Sequence, residues 1–296
     1  MDRLHDMEVF ARVVETGSFS AAARDLKLGQ PAVSKTIAAL EDRLGTRLLV
    51  RSTRQLSPTE AGQAFYERAL RAIAEANEAE AAAQGAGAGL EGRLRICSPV
   101  TFARLHLVPK LGSFLDAHPK IRLELVMDDR AIDLVAENID AGLRLGAQTD
   151  SALTTRKLAQ ADRLVVASPA YLARRSVPST PSDLLEHDAI VYGQSSGGQE
   201  WPFRRGASES SVRLQPRLTL SAAEGVREAV LAGQGIAIAS RWMFAGELAS
   251  GEVVPLFQDW SLPPMELWAI YPSGRLTSTK ARAFMKWFEG ILNESK

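Results

Sequence analysis

Apolar residues at Leu4, Met7, Val9, Phe10, Val13 and Val14 recur at helical spacing, and Gly17 ends the run as a residue free to take φ > 0. Ser18 or Ser20 caps a second, shorter helix through Ala21, Ala22 and Ala23 to about Leu26. A turn at Leu28-Gly29 leads to Pro31, which suits the first turn of a third helix because its missing N–H has no intrahelical partner there. Val33, Ile37, Leu40 and Leu44, spaced 4, 3 and 4, put one buried stripe on that helix, and Gly45 closes it. Leu48-Leu49-Val50 and Gln55-Leu56-Ser57 predict two short strands around a basic tip, Arg51-Ser52-Thr53-Arg54. Pro58-Thr59-Glu60 opens a long helix reaching about Gln84. Along it Phe65, Ala69, Ala72, Ala76, Ala79 and Ala83 are spaced 4, 3, 4, 3 and 4, the a/d seam of a coiled coil whose alanines would let a partner helix approach closely. The other reading is a solitary alanine-rich helix, but such a helix gains little from Phe65, Tyr66, Leu70 and Ile73, so a dimer helix is favoured. Residues 84–89, Gln-Gly-Ala-Gly-Ala-Gly, form a flexible linker.

From Gly92 the rhythm becomes strand–helix alternation. A strand at Arg93–Cys97 precedes a helix around Phe102–His118, a strand at Ile121–Val126, a helix near Ala131–Glu137 and a strand at Asp140–Leu145. Strands follow at Leu164–Ala167, Ala189–Tyr192 and Arg217–Leu220, then helix Ala222–Ala232 and strand Gly235–Ala239. Strand Leu267–Tyr271 and helix Thr279–Leu292 complete the pattern, which predicts an α/β domain with largely parallel sheets.

The 296 residues are enough for about two domains. The lone Cys97 excludes an intramolecular disulfide and, with four histidines, leaves zinc without a ligand set. No apolar run reaches the roughly 18–20 residues of a membrane span, and the start Met1-Asp2-Arg3-Leu4-His5-Asp6 is too polar for a signal peptide, so a reduced, cytoplasmic protein without a cofactor is expected. Net charge is zero, but residues 24–54 carry 7 basic and 3 acidic groups, between acidic stretches on either side. A local basic patch matters to a polyanion even when the whole chain is neutral.

Two catalytic or nucleotide motifs fail on context. Gly87-Ala88-Gly89-Leu90-Glu91-Gly92 has dinucleotide spacing, but a helix precedes it and a strand follows, the reverse of what a pyrophosphate site needs. Gly193-Gln194-Ser195-Ser196-Gly197 has the spacing of a nucleophile elbow, yet His5, His106, His118 and His187 all precede Ser195 and no helix follows. His106 and His118 fall on one helix and read as packing or surface residues. Without an acid/base or nucleophile set, the sequence does not read as an enzyme.

The basic segment fits a helix–turn–helix better than a plain three-helix packing unit. With its stripe turned inward, the third helix presents Gln30, Ser34 and Lys35, and small Ala38 allows close approach to a major groove. Arg43, Arg47, Arg51 and Arg54 would straddle the phosphate backbone and reach a minor groove. The candidate DNA contacts are Ser20, Gln30, Pro31, Ala32, Ser34, Lys35, Ala38, Arg43, Arg51, Thr53 and Arg54.

Met7-Glu8-Val9-Phe10, Gly17-Ser18-Phe19-Ser20-Ala21-Ala22-Ala23, Gln30-Pro31-Ala32-Val33-Ser34-Lys35, Leu40-Glu41-Asp42-Arg43-Leu44-Gly45, Arg47-Leu48 and Thr59-Glu60-Ala61-Gly62 together resemble the N-terminal domain of LysR-type transcriptional regulators. The resemblance continues through Ala167-Ser168-Pro169-Ala170-Tyr171-Leu172, Asp183-Leu184 with His187, Gly233-Gln234-Gly235-Ile236-Ala237, Tyr271-Pro272 and Ala281-Arg282-Ala283-Phe284. Two departures touch the wing: Leu49 stands where the family usually has an aromatic, and Ser57-Pro58-Thr59 replaces the commoner Leu-Thr.

The resemblance implies a bacterial transcription factor with a winged helix–turn–helix at 1–58, a linker dimerisation helix and hinge at 59–91, and an effector-binding domain at 92–296. That domain would resemble periplasmic solute-binding proteins, with subdomain I at 92–161 plus 268–296 and subdomain II at 162–267. Implied partners are an operator in double-stranded DNA, a small-molecule effector, further copies of the chain as a homodimer or homotetramer, and RNA polymerase. The competing class is a cytoplasmic α/β small-molecule-binding protein without DNA readout.

Ligands of open α/β sheets bind beyond the carboxyl ends of strands. Strand Arg93–Cys97 ends at Ser98-Pro99-Val100-Thr101, where a helix start offers N–H groups and hydroxyls to a carboxylate. Asp128-Asp129-Arg130 and Arg144-Leu145-Gly146 would edge the cleft, with Tyr192 and Ser221 opposite, and the expected effector is an organic acid or similar polar metabolite. Ser98 and Thr101 would serve equally as helix caps, and Arg130 and Arg144 as surface charges.

Overall fold

The computed structural model describes residues 2–51, 56–84, 90–146, 153–193, 199–272 and 277–294. They fall into two compact units, Met1–Gly89 and Leu90–Lys296.

In the first unit α1 (Arg3–Thr16) is capped by Asp2, whose carboxylate accepts the Leu4 and His5 N–H groups, and ends at Gly17 in the left-handed conformation. Ser18, not Ser20, caps α2 (Phe19–Asp25) through the Ala21 N–H. Then α3 (Gln30–Leu44) starts after Gly29 with Pro31 in its first turn and ends at Gly45. Strands β1 (Leu49–Arg51) and β2 (Leu56–Pro58) pair antiparallel, with Leu49 opposite Pro58. The long helix α4 (Glu60–Gln84) follows.

Val9, Phe10, Val13, Ala22, Val33, Ile37, Leu40, Leu48 and Leu49 form the core of this unit. At roughly 1.5–3 kcal/mol for each large aliphatic or aromatic side chain fully buried, the three α3 residues alone outweigh any single cap. Leu49 fills its position without an aromatic ring. Leu44, expected on the stripe, is 39% exposed; the buried residue of that turn is instead Glu41.

The second unit opens with β3 (Glu91–Ser98). A helical run follows, made of α5 (Val100–Phe102), a π turn (Ala103–Leu107), a 3-10 turn (Val108–Lys110) and α6 (Leu111–Ala117). Pro109 lies inside it, and a proline there can neither donate to the preceding turn nor pass its carbonyl, which accounts for the change of winding. Next come β4 (Lys120–Met127), β5 (Ala141–Leu145), β6 (Leu153–Ala161) and β7 (Arg163–Ala167). The helix expected near Ala131–Glu137 is a series of turns: the Asp133 carboxylate accepts the Val135 and Ala136 N–H groups, and Asn138 takes φ 53°.

Then follow α7 (Pro169–Leu172), β8 (Ile190–Tyr192), β9 (Glu200–Arg205), β10 (Ser208–Arg213), β11 (Leu218–Leu220), α8 (Ala223–Leu231), β12 (Ala237–Ser240), α9 (Ala245–Ser250), β13 (Val254–Leu256), β14 (Met265–Pro272) and α10 (Thr279–Glu294).

The larger sheet has the order β4-β3-β5-β14-β6. Its β3–β4 and β3–β5 pairs are parallel, but β14 runs antiparallel to both β5 and β6. The order β12-β7-β13 is wholly antiparallel, β8 and β11 pair parallel, and β9 with β10 make an antiparallel hairpin. The sheets are thus mixed, correcting the largely parallel expectation. Leu94, Ile96, Leu107, Phe114, Leu267, Phe284 and Phe288 centre the core of the first subdomain. In the second, β7 is buried on both faces, Val165 and Ala167 toward one cluster and Val166 toward another, which explains its unbroken apolar run. The chain leaves the large sheet after Ala161 and rejoins it at Met265, earlier than the expected 268.

Candidate nucleic-acid interface and effector cleft

On α3 the inward positions Val33, Ile37 and Leu40 are fully buried, so the opposite face is fixed toward solvent. Gln30, Pro31, Ala32, Lys35 and Ala38 are exposed there, Ser34 is half-buried beside them, and Ser20 is exposed on α2. Lys35 has no ion pair among the described residues.

Two of the four arginines, Arg43 and Arg47, have side chains among the described residues. The Arg43 guanidinium lies 3.5 Å from the buried Asp6 carboxylate, tying α3 to α1. Arg47 donates to Glu41 Oε2 at 3.0 Å. Glu41 Oε1 also accepts the Leu48 and Leu49 N–H groups at 2.7 and 3.2 Å, anchoring β1 to α3. Burial pushes the Glu41 carboxyl upward, but those backbone donors and Arg47 outweigh it and hold it below the usual range. Thr53 and Arg54 lie outside the described residues, as does the side chain of Arg51. Glu41 gives no sequence signal of this role, because a glutamate in the charged triplet Glu41-Asp42-Arg43 reads as solvated surface.

The hinge into α4 is also built by hydrogen bonds. Thr59 Oγ1 donates to the Arg47 carbonyl at 2.8 Å and accepts the Gly62 N–H at 2.9 Å. A Cβ on Gly62 would lie 1.9 Å from the Leu48 carbonyl oxygen. The expected seam of α4 does not run free along its whole length. Phe65 meets Phe10 edge-on at 5.4 Å between ring centroids, and Ala69 is 1% exposed. Phe65 thus packs on the chain's own α1, and Ala69 is buried within the chain. Ala72 and Ala76 are half-buried and Ala79 is exposed.

In the second unit the carboxyl ends of β3 and β4 converge. Ser98 and Thr101 are 1% and 4% exposed, and Ser98 Oγ and Thr101 Oγ1 have no hydrogen-bond partner. The cap role is therefore not what these hydroxyls perform. Pro99 and Val100 are half-buried beside them, and the Val100 N–H donates to Asp129 Oδ1 at 2.9 Å. The Ala223 N–H, at the start of α8 in the second subdomain, donates to Asp129 Oδ2 at 3.0 Å. Burial raises the Tyr192 phenol to about 12, and the Asp129 and Asp128 charges add to that.

The Arg130 guanidinium is 75% exposed and held by Asp128 at 2.7 Å, which fits the surface-charge reading of the two. Gly146 ends β5 with its N–H donating to the Glu266 carbonyl at 2.9 Å. Arg144 is half-buried near Cys97 and Ser221 is exposed. Burial raises the Cys97 thiol to about 11. Across the subdomains Arg104 pairs with Glu224 at 2.6 Å, and His106 Nε2 lies 2.7 Å from the Trp242 carbonyl oxygen. These bridging side chains carry no motif in the sequence. Ser195 lies outside the described residues. A hollow of about 450 Å³ lies apart from the cleft, on the second subdomain, lined by Tyr171, Arg174, Arg175, Asp188, Arg217 and Gly233 among others.

No described helix is long and apolar enough to cross a membrane. Residues 4–63 match the bacterial regulatory helix-turn-helix proteins of the lysR family, and residues 87–291 match the LysR substrate binding domain. The HTH-type transcriptional regulator YhjC of Escherichia coli is 34% identical over 297 residues, covering 99% of each chain. The structure of CrgA, a LysR-type regulator from Neisseria meningitidis, is similar over 97% of this chain and 98% of its own, at 31% identity and a TM-score of 0.64. Full-length AphB, a virulence activator of Vibrio cholerae, is similar over 97% and 99% of the two chains, at 29% identity and a TM-score of 0.59. An exposed recognition-helix face and a two-subdomain α/β unit, each matched along its length, lead to one conclusion: this chain belongs to the LysR family and is a LysR-type transcriptional regulator, with a helix–turn–helix DNA-binding domain and an effector-binding substrate domain.

Proposed function

We propose that this regulator reads operator DNA with the outward face of α3 and responds to a small organic acid held between its two α/β subdomains. It acts by binding, without catalysis, in the cytoplasm, as a homodimer or homotetramer, and passes its signal to RNA polymerase.

The observation that carries the DNA reading is the exposed row Gln30, Pro31, Ala32, Lys35 and Ala38 at the N-terminal part of a helix whose other face is sealed in the core. Recognition helices read base edges from that end. Ser34 supports the same face, Ser20 and Arg51 are suited to phosphates, and Thr53 and Arg54 to the wing's backbone or minor-groove contacts. Arg43 acts through α1 by way of Asp6, not as a direct contact. A gel shift of the full chain on fragments upstream of its own and neighbouring genes tests this. Lys35→Ala should relax base preference and cost on the order of 1–3 kcal/mol. A variant binding its operator with unchanged affinity and selectivity, at matched salt, would overturn the docking.

The effector reading rests on Ser98 Oγ and Thr101 Oγ1, buried hydroxyls without a partner at the mouth of β3. Such atoms are unfavourable unless a ligand or water satisfies them. Thermal shift with a panel of carboxylates should separate wild type from Thr101→Val. Equal stabilisation of both would place the ligand elsewhere.

A further inference from the structure

Asp129, just beyond the end of β4, is bonded to both subdomains at once. Its Oδ1 accepts the Val100 N–H at 2.9 Å and its Oδ2 accepts the Ala223 N–H at 3.0 Å. Both amides belong to first helical turns, so neither has a carbonyl of its own helix to bond. Hydrogen bonds to an ionised carboxylate are short and stronger than neutral ones. Beside them stand the partnerless Ser98 and Thr101 hydroxyls, more than nine-tenths buried. The neighbouring Asp128 is engaged differently, with Arg130.

Two amide donors and two spare hydroxyls are what a ligand carboxylate would use. Here the amides are already filled, by a carboxylate of the protein itself. We propose that Asp129 is a specificity-determining latch: it occupies the cleft's anion position, joins the subdomains there, and admits an anionic effector only when displaced. The inference rests on the cleft being the effector site. A ligand that must displace an occupant binds with its affinity reduced by the fraction of time the position is free. Acids that bridge both amides better than Asp129 pass this filter.

The test uses the full-length protein and succinate as probe. Hydrogen exchange at the Val100 and Ala223 amides, read residue by residue by mass spectrometry, should quicken at least tenfold in Asp129→Ala. Asp128→Ala should leave both slow, and the β14 amides should stay protected in every variant, reporting an intact fold. Asp129→Asn, with one carbonyl oxygen, should release one of the two amides. In calorimetry Asp129→Ala should bind succinate at least tenfold more tightly than wild type. Unchanged exchange at either amide in Asp129→Ala overturns the latch. Faster exchange with equal succinate affinity overturns the competition. Faster exchange at both amides with no succinate binding in either protein upholds the joining contact and instead defeats the organic-acid reading of the cleft.

Discussion

Glu41 converts a surface-looking carboxylate into the joint between recognition helix and wing. Its folded carboxyl lies below the ordinary value near 4.5, so its contribution is complete above that value and disappears as pH falls through the lower folded one. Glu41→Gln keeps the shape but loses the charge that serves Arg47 and two backbone N–H groups. We expect a loss of about 1.5–3 kcal/mol at pH 7, the range for hydrogen bonds to charged groups. Urea melts of both proteins at descending pH should converge as pH falls through that lower folded value; a gap of constant size at every pH would show the charge to be irrelevant. Gly62 makes a steric claim in the same corner. With a Cβ 1.9 Å from a backbone oxygen, Gly62→Ala must part α4 from the wing, at the upper end of the ~1–3 kcal/mol typical of overpacking or beyond it. Denaturation of that variant with a wild-type midpoint would refute the close approach.

Among the elements, those with strong periodicity and clear punctuation are legible in the sequence. The stripe of α3, with Pro31 and Gly45 at its ends, and the double-sided apolar run of β7 are of this kind. The elements that were not legible have physical reasons. Strand β6, Leu-Thr-Thr-Arg-Lys-Leu-Ala-Gln-Ala, lies at the edge of its sheet with no fully buried residue, so alternation is faint. The turns at 131–138 carry apolar residues at helical spacing, but Asp133 offers its oxygen to the local N–H groups and competes with the helix. In the candidate site, the α3 face could be read because exposure follows from the buried stripe. The Asp129 bridge could not, because it joins residues 94 apart in sequence. In α4, spacing alone could not tell that Phe65 packs against Phe10 of α1. The proposed seam to a partner helix would then rest chiefly on Ala72, Ala76 and Ala79. Ala72→Glu with Ala76→Glu should bury like charges in such an interface and give monomers with weak operator affinity. Light scattering at wild-type mass would exclude the seam.

For the whole molecule, two matched units serve two kinds of ligand, one a polyanion and one a small molecule. Charge follows that division only in part. Of the basic residues near the recognition helix, Arg43 and Arg47 are committed to carboxylates of their own unit. The salt dependence of operator binding should therefore reflect fewer phosphate contacts than a count of arginines suggests. Arg43→Ala should lower the stability of the DNA-binding unit by more than it flattens the slope of log affinity against log salt. A slope shallower by about one, with an unchanged melt, would return Arg43 to the phosphates.

The chain leaves the five-stranded sheet at Ala161 and returns at Met265, and these two residues face each other as partners in adjacent antiparallel strands. Topologically, then, the whole second subdomain is a very long loop inserted in a hairpin. A hairpin of that register needs only a tight turn to be complete. Joining residue 161 to residue 265 through Asn-Gly should yield a minimal domain of one sheet, with the core of Phe114, Phe284 and Phe288 still in place. Cooperative melting of that short chain would mark the second subdomain as a cassette, exchangeable between regulators without disturbing the sheet that carries it. Recombination at this one seam would give a lineage new effectors while its scaffold stayed the same.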